Sequence, residues 1–258
     1  MSQSSTRSTA LITGASRGIG RAIAIALSPD FDLILTARDA AALEDVVEEV
    51  RATHGVEAKG VVGDIAAEET RESLLAACPA PDILVNNNGG PPPGRFAEWD
   101  RAAWIDALDA NMLAPLAMIR AVLDGMCARG FGRIVNITSA MVKTPLSPMG
   151  LSTGARTGLT SVAKALSRDV AHANVTINNL LPERIDTARQ RGMAELHAQL
   201  AGISIEEAYE KMKATIAAGR LGQPAEFGDA CAFLCSAQAG YISGQNLQLD
   251  GGSYAGLL

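Results

Sequence analysis

The sequence lacks any excess of positive charge. Its 258 residues include 22 lysine and arginine residues against 28 aspartate and glutamate residues, which gives a formal net charge of −6. Without a basic patch or stripe, we expect no nucleic-acid partner. Residues 2–8 are polar, so no secretory signal is predicted, and no later apolar run is long enough to predict a membrane span. We therefore expect a cytoplasmic protein with no membrane partner.

Cysteine and histidine are also scarce. The four cysteines are Cys78, Cys127, Cys231 and Cys235, and the three histidines are His54, His172 and His197. The cysteines lack the spacing of a metal finger, so we expect all four to be reduced and structural. Of the histidines, only His197 falls in a segment that could meet a substrate. No metal site is predicted.

Glycine, by contrast, is abundant, and one glycine-rich stretch organises the chain. Residues 13–20 (TGASRGIG) separate the apolar run 10–12, predicted to be a strand, from residues 21–27, predicted to be a helix. Glycine allows a positive φ and close approach of the backbone to a ligand, and the first amides of a helix attract an anion. Such a turn is typical of a dinucleotide phosphate site, and a tight structural turn is its alternative reading.

Alternating strand and helix patterns predict a doubly wound α/β fold with a parallel, Rossmann-type sheet. Strands are predicted at 10–12, 31–37, 56–63, 82–86, 132–138, 175–181 and 246–249. Helices are predicted at 21–27, 40–54, 68–78, 102–129, 154–172 and 224–236. Residues 183–220 break this rhythm with helix-like pieces at 194–200 and 206–216, and we predict that they form a substrate lid. The whole chain, 1–258, is expected to be one domain.

Over essentially its whole length the chain resembles the short-chain dehydrogenase/reductase family, most closely the 3-oxoacyl-carrier-protein reductases. The matching motifs are TGxxxGxG at 13–20, Asp64 after the third strand, an NNAG-like 86–89, Asn111 ahead of Ser139, a PGxxxT-like 182–187, and the terminal 244–245 and 250–252. The resemblance implies hydride transfer between a nicotinamide cofactor and a small-molecule carbonyl or alcohol substrate. It also implies a homodimer or homotetramer that pairs through the helices at 102–129 and 154–172.

The resemblance further implies which residues hold the cofactor. The nicotinamide would lie near Ser139 and Thr187, and the adenine near Asp64 and Ile65. The remaining implied contacts are Gly14, Ser16, Arg17, Gly18, Ile19, Gly20, Asn86, Arg156 and Ile185.

The choice between NADP(H) and NAD(H) can be argued from charge. An acidic residue after the second strand would accept from the ribose 2′-hydroxyl and repel a 2′-phosphate. This chain has Ala37 followed by Arg38 there, with Arg17 in the glycine turn. We expect NADP(H) rather than NAD(H), because guanidinium groups favour the phosphate. The alternative is that Arg38 only solvates the end of the strand.

The catalytic set departs from the family's pattern of Asn, Ser, Tyr and Lys, in which the tyrosine protonates the carbonyl oxygen and the lysine assists it. Counting from Ser139 places Ser152 at the tyrosine position and Arg156 at the lysine position. A serine hydroxyl is a far weaker acid than a phenol, and arginine can bind ribose without relaying a proton. The candidate catalytic residues are therefore Asn111, Ser139, Ser152 and Arg156. The candidate replacement proton donors are Lys143 and a water held by Ser139, Ser152 and Asn111.

Other departures lie at the rim of the implied site. Asn88 and Glu183 replace small residues beside the nicotinamide, and the proline-rich residues 89–93 form a stiff loop. We predict an NADP(H)-dependent oxidoreductase that interconverts a ketone, such as a 3-oxoacyl compound, and a secondary alcohol with an atypical proton donor. A cofactor-binding protein with little hydride transfer, or a lyase, dehydratase or epimerase in the same cavity, remains an alternative because fold does not fix reaction.

Overall fold

Within residues 7–257, which the computed structural model describes, the strands form one seven-stranded parallel sheet with helices on both faces. The strands are β1 (Thr9–Ile12), β2 (Asp32–Ala37), β3 (Ala58–Val62), β4 (Ile83–Asn86), β5 (Gly132–Ile137), β6 (Val175–Pro182) and β7 (Asn246–Leu249). Their order across the sheet is β3-β2-β1-β4-β5-β6-β7, and every pairing is parallel. The predicted Rossmann-type α/β fold is confirmed.

Some of the helices begin and end where the sequence offers caps. They are α1 (Gly18–Leu27), α2 (Ala40–His54), α3 (Glu68–Ala77), α4 (Arg101–Leu108), α5 (Ala114–Arg129), α6 (Gly150–Val170), α7 (Ala188–Ala201), α8 (Ile205–Lys213) and α9 (Pro224–Cys235). At α2, the Asp39 side chain accepts from the Ala42 amide, and Gly55 ends the helix with a φ of 63°. An acceptor at the N-cap and a left-handed glycine after the last turn are the usual stop signals of a helix.

The core has two layers, one on each face of the sheet, because side chains alternate along a strand. Ala10 and Ile12 of β1 belong to the apolar cluster covered by α1, α2 and α9. Leu11, between them, belongs to the cluster covered by α3, α5 and α6. All four cysteines are free thiols, as expected, and three of them are buried.

The helical region predicted at 102–129 is divided. A π-helical turn, Asp109–Leu113, separates α4 from α5 and carries Asn111. By length and hydropathy alone, Arg101–Arg129 passes the test for a membrane span, with a window of mean hydropathy 1.2. Met118 and Met126 of this stretch are buried in the core, where apolar helix faces cover the sheet.

The helix that carries Ser152 and Arg156 begins earlier than predicted. α6 starts at Gly150 and not at residue 154, because tertiary packing overrides the low helix propensity of glycine there. A Cβ on Gly150 would lie 2.6 Å from the ring of Trp99, so only glycine fits beneath that ring. Ser152 and Arg156 are four residues apart within the helix and therefore share one face of it.

The segment between β6 and α9 contains α7 and α8, in agreement with the helix-like pieces predicted within 183–220. Near its start and end, an isolated parallel bridge joins Ile185 to Gly222. Thr187 caps α7 by accepting from the Gln190 amide. These contacts place both ends of the segment beside the carboxyl end of β6.

Candidate active site

The glycine-rich turn lies at the carboxyl end of β1, where the strand order reverses between β1 and β4. In open α/β sheets, the crevice at that point is where ligands bind. Gly14 and Gly18 have φ values of 60° and 55°. A Cβ on Gly14 would lie 2.5 Å from the Asn87 carbonyl oxygen, and a Cβ on Gly20 would lie 2.0 Å from the Gly14 carbonyl oxygen. The turn therefore requires glycine for its conformation and its packing.

The N-terminus of α1 is open to an anion. Arg17 precedes the helix in an extended conformation, and no side chain caps the first amides. Those amides have no partner within the helix and carry its positive dipole end. Thr187 lies beside them, with its Cγ2 3.4 Å from the position of a Gly18 Cβ. Ser16, which precedes Arg17, and Ile185, two residues before Thr187, are buried, at 9% and 7% exposure. This arrangement fits the pyrophosphate of a dinucleotide.

Asn87 fixes the turn to the end of β4. Its side-chain amide donates to the Gly14 carbonyl at 3.0 Å, and its main-chain amide donates to the Thr13 hydroxyl at 2.8 Å. The Thr13 hydroxyl in turn donates to the Asn87 carbonyl at 2.8 Å. Sequence reasoning matched Asn87 to a motif but gave it no role, because the contact joins residues 74 positions apart.

At the expected adenine end, Arg38 is already paired. Its Nη1 lies 3.6 Å from Asp64 Oδ2, and its side chain is 75% exposed. Asp64 also accepts from the Ala66 amide, and Ile65 is buried. An exposed pair of this kind contributes at most about 1 kcal/mol, so Arg38 can exchange the carboxylate for a stronger anionic partner.

The side chain of Asn86, a residue implied as a cofactor contact, is hydrogen-bonded within the sheet. Its side chain donates to Asn136 at 2.9 Å, Asn136 donates to Asn179 at 3.0 Å, and Asn179 donates to Asn246 at 2.8 Å. These four residues stand opposite one another in register on β4, β5, β6 and β7. The Asn86 side chain is thus committed to a hydrogen-bonded ladder across the sheet, which leaves its main chain for a ligand.

Arg156 is the centre of the predicted catalytic set. Only 7% of it is exposed. Its Nε donates to Ser152 Oγ at 3.2 Å. Its Nη1 donates to the carbonyls of Ile137 and Thr138 at 2.6 and 3.1 Å, and its Nη2 donates to the Asn88 carbonyl at 2.9 Å. Arginine can tie these elements together because its donors are held in a planar fork, whereas lysine has a single nitrogen.

Among the described residues, no carboxylate forms an ion pair with Arg156. Burial, and to a lesser extent the positive charge of Arg189, lower the pKa of Arg156 to about 10. The guanidinium is still protonated at neutral pH. Arg189 lies on α7 and donates to the Gly90 and Pro91 carbonyls at 2.9 and 3.2 Å. Sequence reasoning missed Arg189, since nothing in the local pattern brings α7 to the loop after β4.

Ser139 and Asn111 border the same region. Ser139 follows β5 and accepts from the Met141 amide at 3.2 Å, so its hydroxyl proton can be donated elsewhere. Asn111 is 3% exposed and donates to the Ala107 carbonyl at 3.4 Å. Its side-chain oxygen Oδ1 accepts no hydrogen bond from the described part of the chain. A buried polar atom without a protein partner is a usual position for a bound water.

Hydrogen bonds of Arg156 and Asn88 reach the main chain next to the other predicted catalytic residues. Arg156 joins Ser152 to the main chain directly before Ser139. It also binds Asn88, whose side chain donates at 3.0 Å to the Ala110 carbonyl, next to Asn111. Asn88, which replaces the family's small residue, thus links the loop after β4 to the π-helical turn.

Two other sequence candidates have contacts of their own. Lys143 places its ammonium 5.1 Å from the centre of the Tyr254 ring, a contact with the C-terminal residues that the sequence did not reveal. Glu183 pairs with Arg184, which has a left-handed φ of 52°. Burial raises the pKa of Glu183, and this carboxyl lines a cavity of about 250 Å³ with Asp250.

Comparisons with known proteins agree with this geometry. A family model described as enoyl-(acyl carrier protein) reductase matches residues 14–254. The chain is 32% identical over 250 residues to the 3-oxoacyl-[acyl-carrier-protein] reductase FabG of Pseudomonas aeruginosa, with 95% of this chain and 96% of that protein covered.

Solved structures give the same result. YwfH, described as an NADPH dependent reductase involved in bacilysin biosynthesis, has a TM-score of 0.91 and 30% identity, with 97% of this chain and 100% of that chain covered. An actinorhodin polyketide ketoreductase solved with NADPH has a TM-score of 0.90 and 31% identity, with 96% and 97% covered. Because the family match and these relatives span nearly the whole chain, the protein belongs to the short-chain dehydrogenase/reductase family of oxidoreductases.

Proposed function

We propose that the protein is an NADP(H)-dependent oxidoreductase that interconverts a ketone and a secondary alcohol and takes its proton from water. The observation that carries this proposal is the cluster in which Arg156 joins Ser152 to the main chain before Ser139, beside the turn that suits a dinucleotide. The similar structures described with NADPH support the choice of cofactor.

When bound, NADPH supplies the hydride that reduces the carbonyl carbon. Ser139 donates its hydroxyl to the carbonyl oxygen and fixes its position. The positive charge of Arg156 stabilises the negative charge that develops on this oxygen, because both lie in a site with little access to water. The resulting alkoxide takes a proton from a water held by Ser139, Ser152 and Asn111, which gives the alcohol, and the hydroxide left behind is reprotonated from bulk solvent. The unpaired Oδ1 of Asn111 supports this route.

We expect NADPH to bind at least about tenfold more tightly than NADH, because Arg38 and Arg17 can donate charge-assisted hydrogen bonds to a 2′-phosphate. Titration of both nucleotides by fluorescence measures the preference. Arg38→Ala should reduce it several-fold. The matched control is Arg51→Ala, since Arg51 is also an exposed arginine beside a carboxylate, that of Glu44. Equal affinities in the starting protein, or an unchanged preference in Arg38→Ala, would show that these arginines do not select the cofactor.

The segment 183–220 acts as the substrate lid in this proposal. Its helices α7 and α8 carry mostly exposed side chains, and Gly202 and Gly219 adopt positive φ values at their ends. Hydrogen exchange in α7 and α8 should be faster than in β4 and β5, and it should slow when NADPH and a ketone are added. The helix α9, outside the segment, serves as the internal control. Protection equal to that of the strands, with no response to ligand, is inconsistent with a lid.

Pairing of two or four copies belongs to the same proposal. The family resemblance implies contacts through α4, α5 and α6. Ile105 and Leu113, at 37% and 50% exposure, are apolar side chains on that side of the chain and support such an interface. Light scattering of the purified protein measures the number of copies.

The cytoplasmic location also stays a prediction.

A further inference from the structure

Three hydrogen-bond donors converge on one point beside Gly90. A Cβ on this glycine would lie 3.2 Å from Ser152 Oγ, 3.4 Å from Arg156 Nη2 and 3.5 Å from Arg189 Nη2. A hydroxyl can donate, and a guanidinium can only donate. These contact distances show that Ser152 and the two guanidinium groups pack closely around Gly90, and two of the three groups carry positive charge.

The two guanidinium groups at this point are not neutralised by the protein. Within residues 7–257, neither Arg156 nor Arg189 forms an ion pair with a carboxylate. Their partners on this side are three neutral main-chain carbonyls of one loop, those of Asn88, Gly90 and Pro91. Burying the charge of Arg156 without a counter-charge is costly, and the exposed charge of Arg189 repels it.

The loop carbonyls accept hydrogen bonds from the two guanidinium groups that a charged acceptor would accept more strongly. A carboxylate presents two oxygens with about four acceptor sites, and hydrogen bonds between ions are roughly twice as strong as those to a neutral carbonyl. An anion that enters beside Gly90 would gain both guanidinium groups and would release the carbonyls of the loop. The arrangement resembles a preformed anion site in which the protein's own main chain occupies the donors.

The position of this point relative to Ser139 limits the kind of anion. Arg156 contributes one donor to the point and two donors to the carbonyls of Ile137 and Thr138, immediately before Ser139. A single side chain therefore connects the point to the residue that binds the ketone oxygen. A substrate that contacts both must carry its negative group only a few bonds from its ketone carbon.

We propose that Arg189 and Arg156, with Ser152 at the edge, bind the carboxylate of the substrate, so that the substrate is a small oxo acid or hydroxy acid and not a neutral ketone. This inference rests on the proposed function and names its substrate class. Arg189 is then a specificity-determining residue carried by α7. Binding of the carboxylate couples that helix to the loop after β4.

The test uses two probes with the same ketone, acetoacetate and its neutral ethyl ester. Calorimetric titration gives their affinities for the protein with and without NADP⁺, and initial rates of NADPH oxidation give kcat/KM for each. We expect acetoacetate to bind at least about tenfold more tightly than the ester, because hydrogen bonds to charged groups contribute about 1.5–3 kcal/mol. The preference in kcat/KM should be of the same order.

Variants of Arg189 assign the preference to this site. Arg189→Gln keeps donors but removes the charge, and it should lose about tenfold of the affinity for acetoacetate while leaving the ester unchanged. Arg189→Lys should retain part of the preference. The matched control is Arg191→Gln, because Arg191 lies on the same helix and pairs with Glu195. Since Arg189 is exposed, these substitutions are expected to leave the fold intact, which circular dichroism checks.

The outcomes separate this inference from the proposed function. If the ester is reduced as well as the acid, and Arg189→Gln changes neither, the carboxylate site is refuted while the reductase stands. If neither probe is reduced but acetoacetate binds in a manner that depends on Arg189, the site stands and the reductase is refuted. Failure of acetoacetate to bind, with or without NADP⁺, overturns the inference.

Discussion

The Ser152→Tyr, Arg156→Lys double variant is expected to reduce ketones about 10²–10⁴-fold faster than the starting protein. That range is the usual contribution of a positioned general acid. A phenol beside an ammonium is a tunable acid, whereas the present serine hydroxyl is not. Ser152→Tyr alone should gain less, because Arg156 does not relay a proton. Stopped-flow or steady-state measurement of NADPH oxidation with a ketone determines the gain.

The structure indicates what this double variant must overcome. The position of a Gly90 Cβ lies only 3.2 Å from Ser152 Oγ, so a tyrosine ring requires movement of the loop after β4. The lysine also cannot replace all of the hydrogen bonds of Arg156. Thermal unfolding and NADPH binding are therefore measured in parallel. A folded double variant that binds NADPH but reduces ketones no faster would contradict the view that proton supply limits the present site.

Arg156→Met is expected to lower the free energy of unfolding by about 2–4 kcal/mol and to weaken the binding of NADPH. The guanidinium donates to two buried main-chain carbonyls and to one part-buried carbonyl. Each buried carbonyl left without a partner costs about 1–3 kcal/mol, offset in part by removal of a buried charge. Denaturant unfolding measures the change in stability. Arg168→Met is the matched control, because Arg168 is an exposed residue of the same helix.

Two other results for Arg156→Met would contradict this expectation. If stability is unchanged while NADPH binding falls, Arg156 serves the ligand alone. If the variant becomes more stable, the cost of burying the charge exceeds the value of its hydrogen bonds. Either outcome would contradict the structural role that we assign to this arginine.

The fold could be predicted largely from the sequence because its signals are local. Apolar runs of strand length alternate with helix-period patterns, and the glycine turn at 13–20 needs residues with special backbone freedom. The strands were predicted close to their observed bounds. The early start of α6 and the π-helical turn at Asp109–Leu113 were not predicted, since neither has a signal in the local apolar pattern.

The site was only partly predictable for a related reason. Motif spacing predicted that Ser139, Ser152 and Arg156 share one region, but it could not give their partners. The Arg189 contacts with the loop after β4 span almost 100 residues, and the Lys143 contact with Tyr254 spans more than that. Such contacts have no sequence period. They follow from the topology that brings α7 and the C-terminal residues to this edge of the sheet.

The rate of NADPH oxidation in the presence of ketones, measured on the purified protein and on Ser139→Ala, tests the central claim most directly. The account predicts oxidation that depends on the ketone, with one alcohol formed per NADPH consumed. It predicts a loss of roughly 10²-fold or more in Ser139→Ala, because the carbonyl oxygen then lacks its donor. Tight binding of NADPH with no oxidation for any ketone would contradict the account and assign a cofactor-binding protein, and turnover without NADPH consumption would assign a lyase or epimerase.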